Sequence, residues 1–144
     1  MTAPDSDTPA KTSDAPSRPA LFPAGLRKAV FFAALSAILY LSLMPRKLVD
    51  ESFSAELQSQ DSRFHTASYL ALGFLFLAAF ARRGKTSVRL RAAVFAGFAA
   101  MGGVVEFLQS LPAIGRSASV SDAVHNAVGA AIGAFLTPAA LLLP

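Results

Sequence analysis

The sequence predicts an all-α fold, a four-helix transmembrane bundle that follows a disordered N-terminal tail. Three observations predict it. Hydrophobic side chains make up 53% of the chain and charged ones only 15%, whereas about a quarter of the residues in a soluble domain are charged. The apolar residues form four long runs, and most of the basic residues flank these runs. The chain is therefore too apolar for an ordinary soluble domain.

Residues 1–26 are rich in Pro, Ala, Ser, Thr and Asp and contain little that could be buried. Such a segment cannot offset the entropy of ordering, so we expect a flexible tail. A cleavable signal peptide is disfavoured, because the first apolar run ends in Met44, Pro45 and Arg46 without a small-residue cleavage site. The remaining residues, 27–144, form the predicted membrane domain.

The four apolar runs cover residues 28–44, 64–81, 92–111 and 121–143. Each is close to the ~17 to 25 residues that a membrane-spanning helix needs. Buried helices of a soluble bundle are the alternative, but such helices would need a polar face toward water, and these runs have almost none. We therefore predict four spanning helices.

The basic residues predict the orientation of the bundle. Nine of the 13 Lys and Arg residues precede the first helix or lie between the second and the third: Lys11, Arg18, Arg27, Lys28, Arg82, Arg83, Lys85, Arg89 and Arg91. Because loops rich in Lys and Arg stay in the cytoplasm, we expect both termini and loop 82–91 to face it. Loops 45–63 and 112–121 then face outward.

The composition excludes cysteine chemistry and disfavours nucleic-acid binding. The chain has no cysteine, so disulfides, thiolate metal sites and a cysteine nucleophile are excluded. The basic pI of about 10.0 does not indicate a nucleic-acid partner, because the basic residues flank apolar runs instead of forming a patch on one folded face.

Polar residues recur at helical spacing near the predicted outer ends of the helices. Asp61, His65 and Tyr69 are spaced by four residues, so they form one stripe on helix two. Glu106 and Gln109 share a face near the outer end of helix three. We expect both faces to lie at the same depth in the membrane.

A third stripe begins with Asp122 and Asn126 on helix four and continues as Gly129 and Gly133. Two glycines four residues apart allow another helix to approach closely on that face. The outer loop brings Arg116 over all three stripes. The sequence therefore predicts that these polar groups converge on one pocket that faces the outer leaflet.

Glu106 lies among apolar neighbours, and an ionisable side chain in a bilayer is costly and normally faces the bundle interior. It is therefore a candidate functional residue. The alternative is structural, with Glu106 hydrogen-bonded across helices to Tyr69, Asn126 or Arg116.

The other candidates also have structural alternatives. Asp61 could cap the N-terminus of helix two, and Asp122 could be a first-turn residue beside a capping Ser119 or Ser121. His65 is either an ordinary interfacial histidine or an imidazole oriented by Asp61.

Three functions fit this arrangement. The first is a pocket for an anionic envelope lipid or a lipid-linked sugar phosphate, with Arg116 binding phosphate. The other binding residues would be Asp61, Tyr69, Gln109 and Asn126. Membrane lipids and lipid-linked envelope precursors are then the expected partners.

The second function is an enzyme that acts on a phosphate or glycosyl bond. His65 would be its general acid or base, with Glu106 or Asp122 as the partner carboxylate. A metal bound by these three side chains is a variant of this hypothesis, but the sequence has no ligand-spacing motif such as H-E-x-x-H, so no metal site is predicted. The sequence does not indicate which cofactor, if any, the protein uses. The third function is a non-catalytic assembly or regulatory subunit of an envelope complex.

The same residues resemble the VanZ-like family of small bacterial membrane proteins. The resemblance rests on ILYLSLMP at 38–45, on the Asp61, His65 and Tyr69 series before LALG, and on a longer run of matching positions: Glu106, Gln109, Pro112, Arg116, Asp122, Asn126, Gly129 and Gly133. The family pattern usually has Lys after the Asp and Phe after the His, whereas this chain has Ser62 and Thr66 there.

The resemblance implies a multi-pass protein of the bacterial inner membrane. The founding member of the family is associated with low-level resistance to glycopeptide antibiotics, teicoplanin in particular. The family implies no particular reaction, so a role in the cell envelope is expected without a mechanism.

Overall fold

The computed structural model describes residues 22–45, 48, 51–81 and 86–136, with only the backbone of residues 51–61. Four helices follow one another: α1 (Ala24–Leu43), α2 (Glu51–Phe80), α3 (Val88–Gln109) and α4 (Val120–Ala131). A π-helical segment, Ile132–Leu136, continues α4. The described residues contain no strand, and the predicted all-α fold is confirmed.

The helix bounds differ from those predicted. The largest difference is at α2, which begins at Glu51 instead of residue 64, so most of the predicted loop 45–63 is helical. Residues 51–63 contain no Gly or Pro that would end a helix, so the helix extends beyond its apolar part. α1 begins at Ala24, inside the predicted tail 1–26, whose first 21 residues lie outside the described ranges.

α3 begins at Val88, so Arg89 and Arg91 belong to the helix and not to a loop. Ser87 caps this end, because its side chain accepts a hydrogen bond from the N–H of Leu90 at 3.2 Å. At the other end, the predicted helix 121–143 begins at Val120. Residues 137–144 lie outside the described ranges.

Three helical segments are long and apolar enough to cross a membrane: Ala24–Leu43, Ser62–Phe80 and Val88–Gln109. Val120–Leu136 is a shorter apolar helix. Large apolar side chains point away from the bundle, and Phe31 is the one buried residue of α1. Outward faces of this kind suit contact with lipid. The length and apolar surface of these helices indicate a membrane protein.

Hydrogen bonds between helix ends define two ends of the bundle. At the basic end, Arg27 at the start of α1 donates to the carbonyl oxygen of Ala78 near the end of α2, at 3.0 Å. Arg91 near the start of α3 donates to the carbonyl oxygen of Ala134, at 2.5 Å. Cationic side chains at carbonyl-rich C-termini also favour the helix dipoles. At the opposite, polar end, Gln109 of α3 donates to the carbonyl oxygen of Ser42 in α1, at 2.8 Å.

Aromatic rings fill the core near the basic end. The Phe31 ring meets Phe76, Phe80 and Phe98 edge to face, with centroids 5.5 to 6.4 Å apart, an arrangement that stabilises aromatic clusters. This cluster joins α1, α2 and α3. The polar residues lie nearer the opposite end.

α2 and α4 are in backbone contact at two glycines. A methyl group added at Gly129 would overlap the carbonyl oxygen of Thr66, and one at Gly133 would overlap that of Leu70. Gly73 of α2 faces the same contact, since a methyl group there would lie 3.1 Å from the carbonyl carbon of Gly133. The predicted close approach along the face of α4 that carries Gly129 and Gly133 is present in the structure.

We expect Gly129→Ala to lower the thermal stability of the purified protein in detergent. Overpacking typically costs about 1 to 3 kcal/mol, which exceeds the ~1 kcal/mol that alanine gains over glycine in a helix. Gly103→Ala is the control, because a methyl group there meets nothing within 4 Å. Equal melting temperatures for the two variants would contradict the backbone contact.

Candidate functional site

His65 lies in α2 and contacts α4 directly. Its ring nitrogen Nδ1 is 2.9 Å from Oδ1 of Asn126, and Asn126 is completely buried. The Asn126 amide therefore holds the orientation of the imidazole. The predicted orienting residue, Asp61, is part of α2, but its side chain is outside the described residues, so its role stays a prediction.

Glu106 is the residue of α3 that lies beside His65. Its side chain is 4% exposed, and its Oε1 lies 4.0 Å from Nδ1 of His65. Its Oε2 accepts a hydrogen bond from the backbone N–H of Ser119 at 3.1 Å. Since Ser119 is the N-cap of α4, the carboxylate lies at a helix N-terminus, where free N–H groups and the helix dipole favour negative charge.

Asp122 belongs to the first turn of α4 and is half-buried. Its backbone N–H donates to the Ser119 hydroxyl oxygen at 3.2 Å, which is the capping arrangement expected beside Ser119. One ligand atom each from His65, Glu106 and Asp122 lie within 4.8 Å of one another. We call these three side chains the polar triad.

The two carboxylates of the polar triad lie in unlike surroundings. Glu106 is buried between helices, whereas Asp122 is partly accessible at the end of α4. Unlike environments allow two acids to differ in protonation. The triad can therefore do two things chemically: exchange protons through an oriented imidazole, or ligate a cation through one nitrogen and carboxylate oxygens.

Tyr69 and Gly102 line the buried side of the site. Tyr69 lies one turn from His65 on α2 and is 2% exposed. Gly102 lies one turn from Glu106, and a methyl group there would be 2.8 Å from Cβ of Asn126. Only a residue without a side chain leaves room for Asn126 at this crossing.

Two predicted binding residues contact α1 instead. Gln109 is buried and donates to the Ser42 carbonyl oxygen, as described above. Arg116 is half-buried, and its Nη1 lies 3.5 Å from the carbonyl oxygen of Leu41. Both stabilise the C-terminal end of α1 at the rim of the site. His125 lies on another face of α4, and its Nδ1 is 2.7 Å from the carbonyl oxygen of Ser121 in the same helix.

The structure thus brings His65, Tyr69, Glu106, Asp122 and Asn126 together. Sequence reasoning did not identify the direct bond between His65 and Asn126 or the Ser119 amide as a partner of Glu106. It also missed Gly102, although its position four residues before Glu106 places both on one helix face.

Comparisons with known proteins give one match. The model of the VanZ/LLP1 family matches residues 6–142, nearly the whole chain and most of the N-terminal segment. No curated protein and no solved structure matches. The resemblance seen in the sequence is confirmed: the chain belongs to the VanZ/LLP1 family.

Proposed function

We propose that this protein binds the phosphate-containing head group of a cell-envelope lipid or lipid-linked sugar, in a pocket that opens to the outer leaflet. The observation that carries the proposal is the convergence of three helices on a polar triad inside an otherwise apolar bundle. Polar groups at such a depth are costly and generally mark a functional site. Low-level tolerance of glycopeptide antibiotics would be a consequence of such binding.

Arg116 supplies the phosphate contact in this proposal. Its guanidinium has five N–H donors in a planar fork that matches phosphate, and the bond to Leu41 at 3.5 Å is long for a hydrogen bond. A phosphate oxygen would replace this contact at little cost. Arg116 is also three residues before Ser119, so the head group would lie beside the triad.

The triad and its neighbours would contact the rest of the head group. Asp122 is half-buried at the N-terminus of α4, and its carboxylate is suited to accept hydrogen bonds from sugar hydroxyl groups. Asn126 and Tyr69 lie deeper. This division places the anionic part of the ligand at Arg116 and its hydroxyl groups at the acids.

We expect Arg116→Gln to lose most of the bound phosphate-bearing lipid. A hydrogen bond to a charged group contributes about 1.5 to 3 kcal/mol, which corresponds to roughly a tenfold to hundredfold change in affinity. The measurement is native mass spectrometry in nanodiscs that contain phosphatidylglycerol or a polyprenyl phosphate in a zwitterionic background. Arg89→Gln is the matched control, because Arg89 is exposed at the basic end of the bundle.

Equal lipid retention in wild type and in Arg116→Gln would contradict phosphate recognition by this residue. Arg116→Lys refines the result, since it keeps the charge but loses the fork. We expect Lys to restore only part of the binding.

The proposal also includes an orientation in the bacterial inner membrane, with both termini cytoplasmic. Arg27 and Arg91 lie at the basic end and the triad lies at the polar end. The tendency of basic residues to stay in the cytoplasm supports an outward-facing triad.

Single cysteines test this orientation, because the chain has none of its own. Ser117 is exposed in the loop before α4, and Gly25 is exposed at the start of α1 with open space around it. In intact spheroplasts, we expect a membrane-impermeant thiol reagent to label Ser117→Cys, and to label Gly25→Cys only after the membrane is permeabilised. The reverse labelling pattern would overturn the orientation.

An enzyme that acts on a phosphate or glycosyl bond is the second candidate. One observation favours it: the His65 ring is held by Asn126 and lies 4.0 Å from a buried carboxylate oxygen of Glu106, and histidine is the side chain that most often acts as a general acid or base. His65→Ala separates the candidates, since a protein that only binds lipid forms no product either in the wild type or in the variant. An enzyme would keep lipid binding and lose product formation.

A further inference from the structure

We propose that the polar triad, His65, Glu106 and Asp122, is a binding site for one divalent metal ion. This goes beyond head-group binding and does not depend on it. They come from α2, α3 and α4, and one ligand atom from each lies within 4.8 Å of the others. A chance group of surface acids would come from exposed positions, whereas Glu106 and His65 are largely enclosed by the bundle.

The spread of the ligand atoms is close to that of a metal site. Ligands about 2.1 Å from a metal in tetrahedral or octahedral geometry lie roughly 3 to 3.5 Å from one another. The widest separation, up to 4.8 Å, must therefore contract by roughly 1 to 2 Å, which side-chain rotation can supply. Asp122 is the side chain that moves most readily, because it is half-buried in the first turn of α4.

Asn126 acts as a positioning residue for the histidine ligand. Metal-binding histidines generally use one ring nitrogen for the metal and the other for a hydrogen bond that fixes the ring. Here Nδ1 meets the Asn126 carbonyl oxygen Oδ1 at 2.9 Å. Nδ1 is also 4.0 Å from Oε1 of Glu106, so the Asn126 contact fixes the ring beside the carboxylate of the triad.

The Asn126 amide nitrogen supplies a second, independent observation. Asn126 is completely buried, and its Nδ2 has no hydrogen-bond partner among the described residues. Buried donors in native proteins almost always have a partner, including water or a ligand. An oxygen ligand of the metal, either water or a head-group oxygen, would accept this hydrogen bond between α4 and α3.

Charge balance points to a divalent cation. Two carboxylates with oxygen atoms within 4.8 Å of each other repel. A divalent ion neutralises both at once and would also attract the phosphate that Arg116 is proposed to bind. One imidazole and two carboxylates, with no cysteine in the chain, suit Mn²⁺, Fe²⁺ or Zn²⁺.

The test uses the full chain in zwitterionic nanodiscs and Mn²⁺ alone as the probe, so its result does not depend on lipid binding. We expect about one Mn²⁺ per chain, measured by electron paramagnetic resonance titration. His65→Gln and Asp122→Asn should each weaken binding at least tenfold, and Asn126→Ala about tenfold to hundredfold, as loss of a supporting contact generally does. His125→Gln is the matched control, because His125 bonds within its own helix.

Spectroscopy of a protein that keeps all three proposed ligands gives a result even if the ligand variants fail to fold. In the His125→Gln background, His65 is the one remaining histidine of the two in the chain. We expect electron spin echo modulation from a directly coordinated imidazole nitrogen. Failure to bind Mn²⁺ or Zn²⁺ at millimolar concentration, or bound Mn²⁺ without nitrogen coupling, would overturn the proposal.

Failure of the metal site and failure of head-group binding are distinguishable. Loss of phosphate-lipid retention in Arg116→Gln with Mn²⁺ binding intact would leave the metal site standing. Lipid retention with no Mn²⁺ or Zn²⁺ binding would remove the metal site and leave the pocket.

Discussion

The backbone contact between α2 and α4 determines how the helices of the bundle are placed. At Gly129 and Gly133 the two helices approach so closely that a single methyl group would overlap a carbonyl oxygen of α2. Between membrane helices, such packing supplies the stabilisation that the hydrophobic effect supplies in water. The close crossing also brings Asn126 within hydrogen-bond distance of His65, one helical turn before Gly129.

The membrane explains why polar groups at the ends of the helices are connected across the bundle. Carbonyl groups that a helix leaves unsatisfied must find partners within the protein, because lipid offers none. Arg27 donates to a carbonyl oxygen near the end of α2, and Arg91 donates to one in the π-helical segment after α4. Gln109 donates to a carbonyl oxygen near the end of α1. At the N-terminus of α4, the Glu106 carboxylate accepts a hydrogen bond from the backbone N–H of Ser119. The polar triad is thus part of the same system that orders the bundle, and it adds the ligand set of a cation site.

Much of this arrangement follows from the sequence, and the rest depends on rotations that a pattern does not contain. Apolar runs predict the four helices, and four-residue spacing predicts that His65, Glu106, Asp122 and Asn126 face inward. The spacing of Gly129 and Gly133 predicts the close helix contact. The start of α2 at Glu51 was missed, because hydropathy shows where a helix enters lipid and not where it begins. The partners of Gln109 and Arg116 could not be predicted from the sequence. They are carbonyl groups of α1, and their proximity depends on how α1 packs beside α3.

The α2–α4 contact holds His65 against Asn126, and ¹⁵N magnetic resonance of the His65 ring detects this contact. In a His125→Gln background, we expect one tautomer with a protonated, hydrogen-bonded Nδ1. The signal should change in Asn126→Ala and in Gly129→Ala and stay the same in Gly103→Ala. A ring that averages between both tautomers, with a signal unaffected by Asn126→Ala, would show that the contact with α4 does not hold the imidazole.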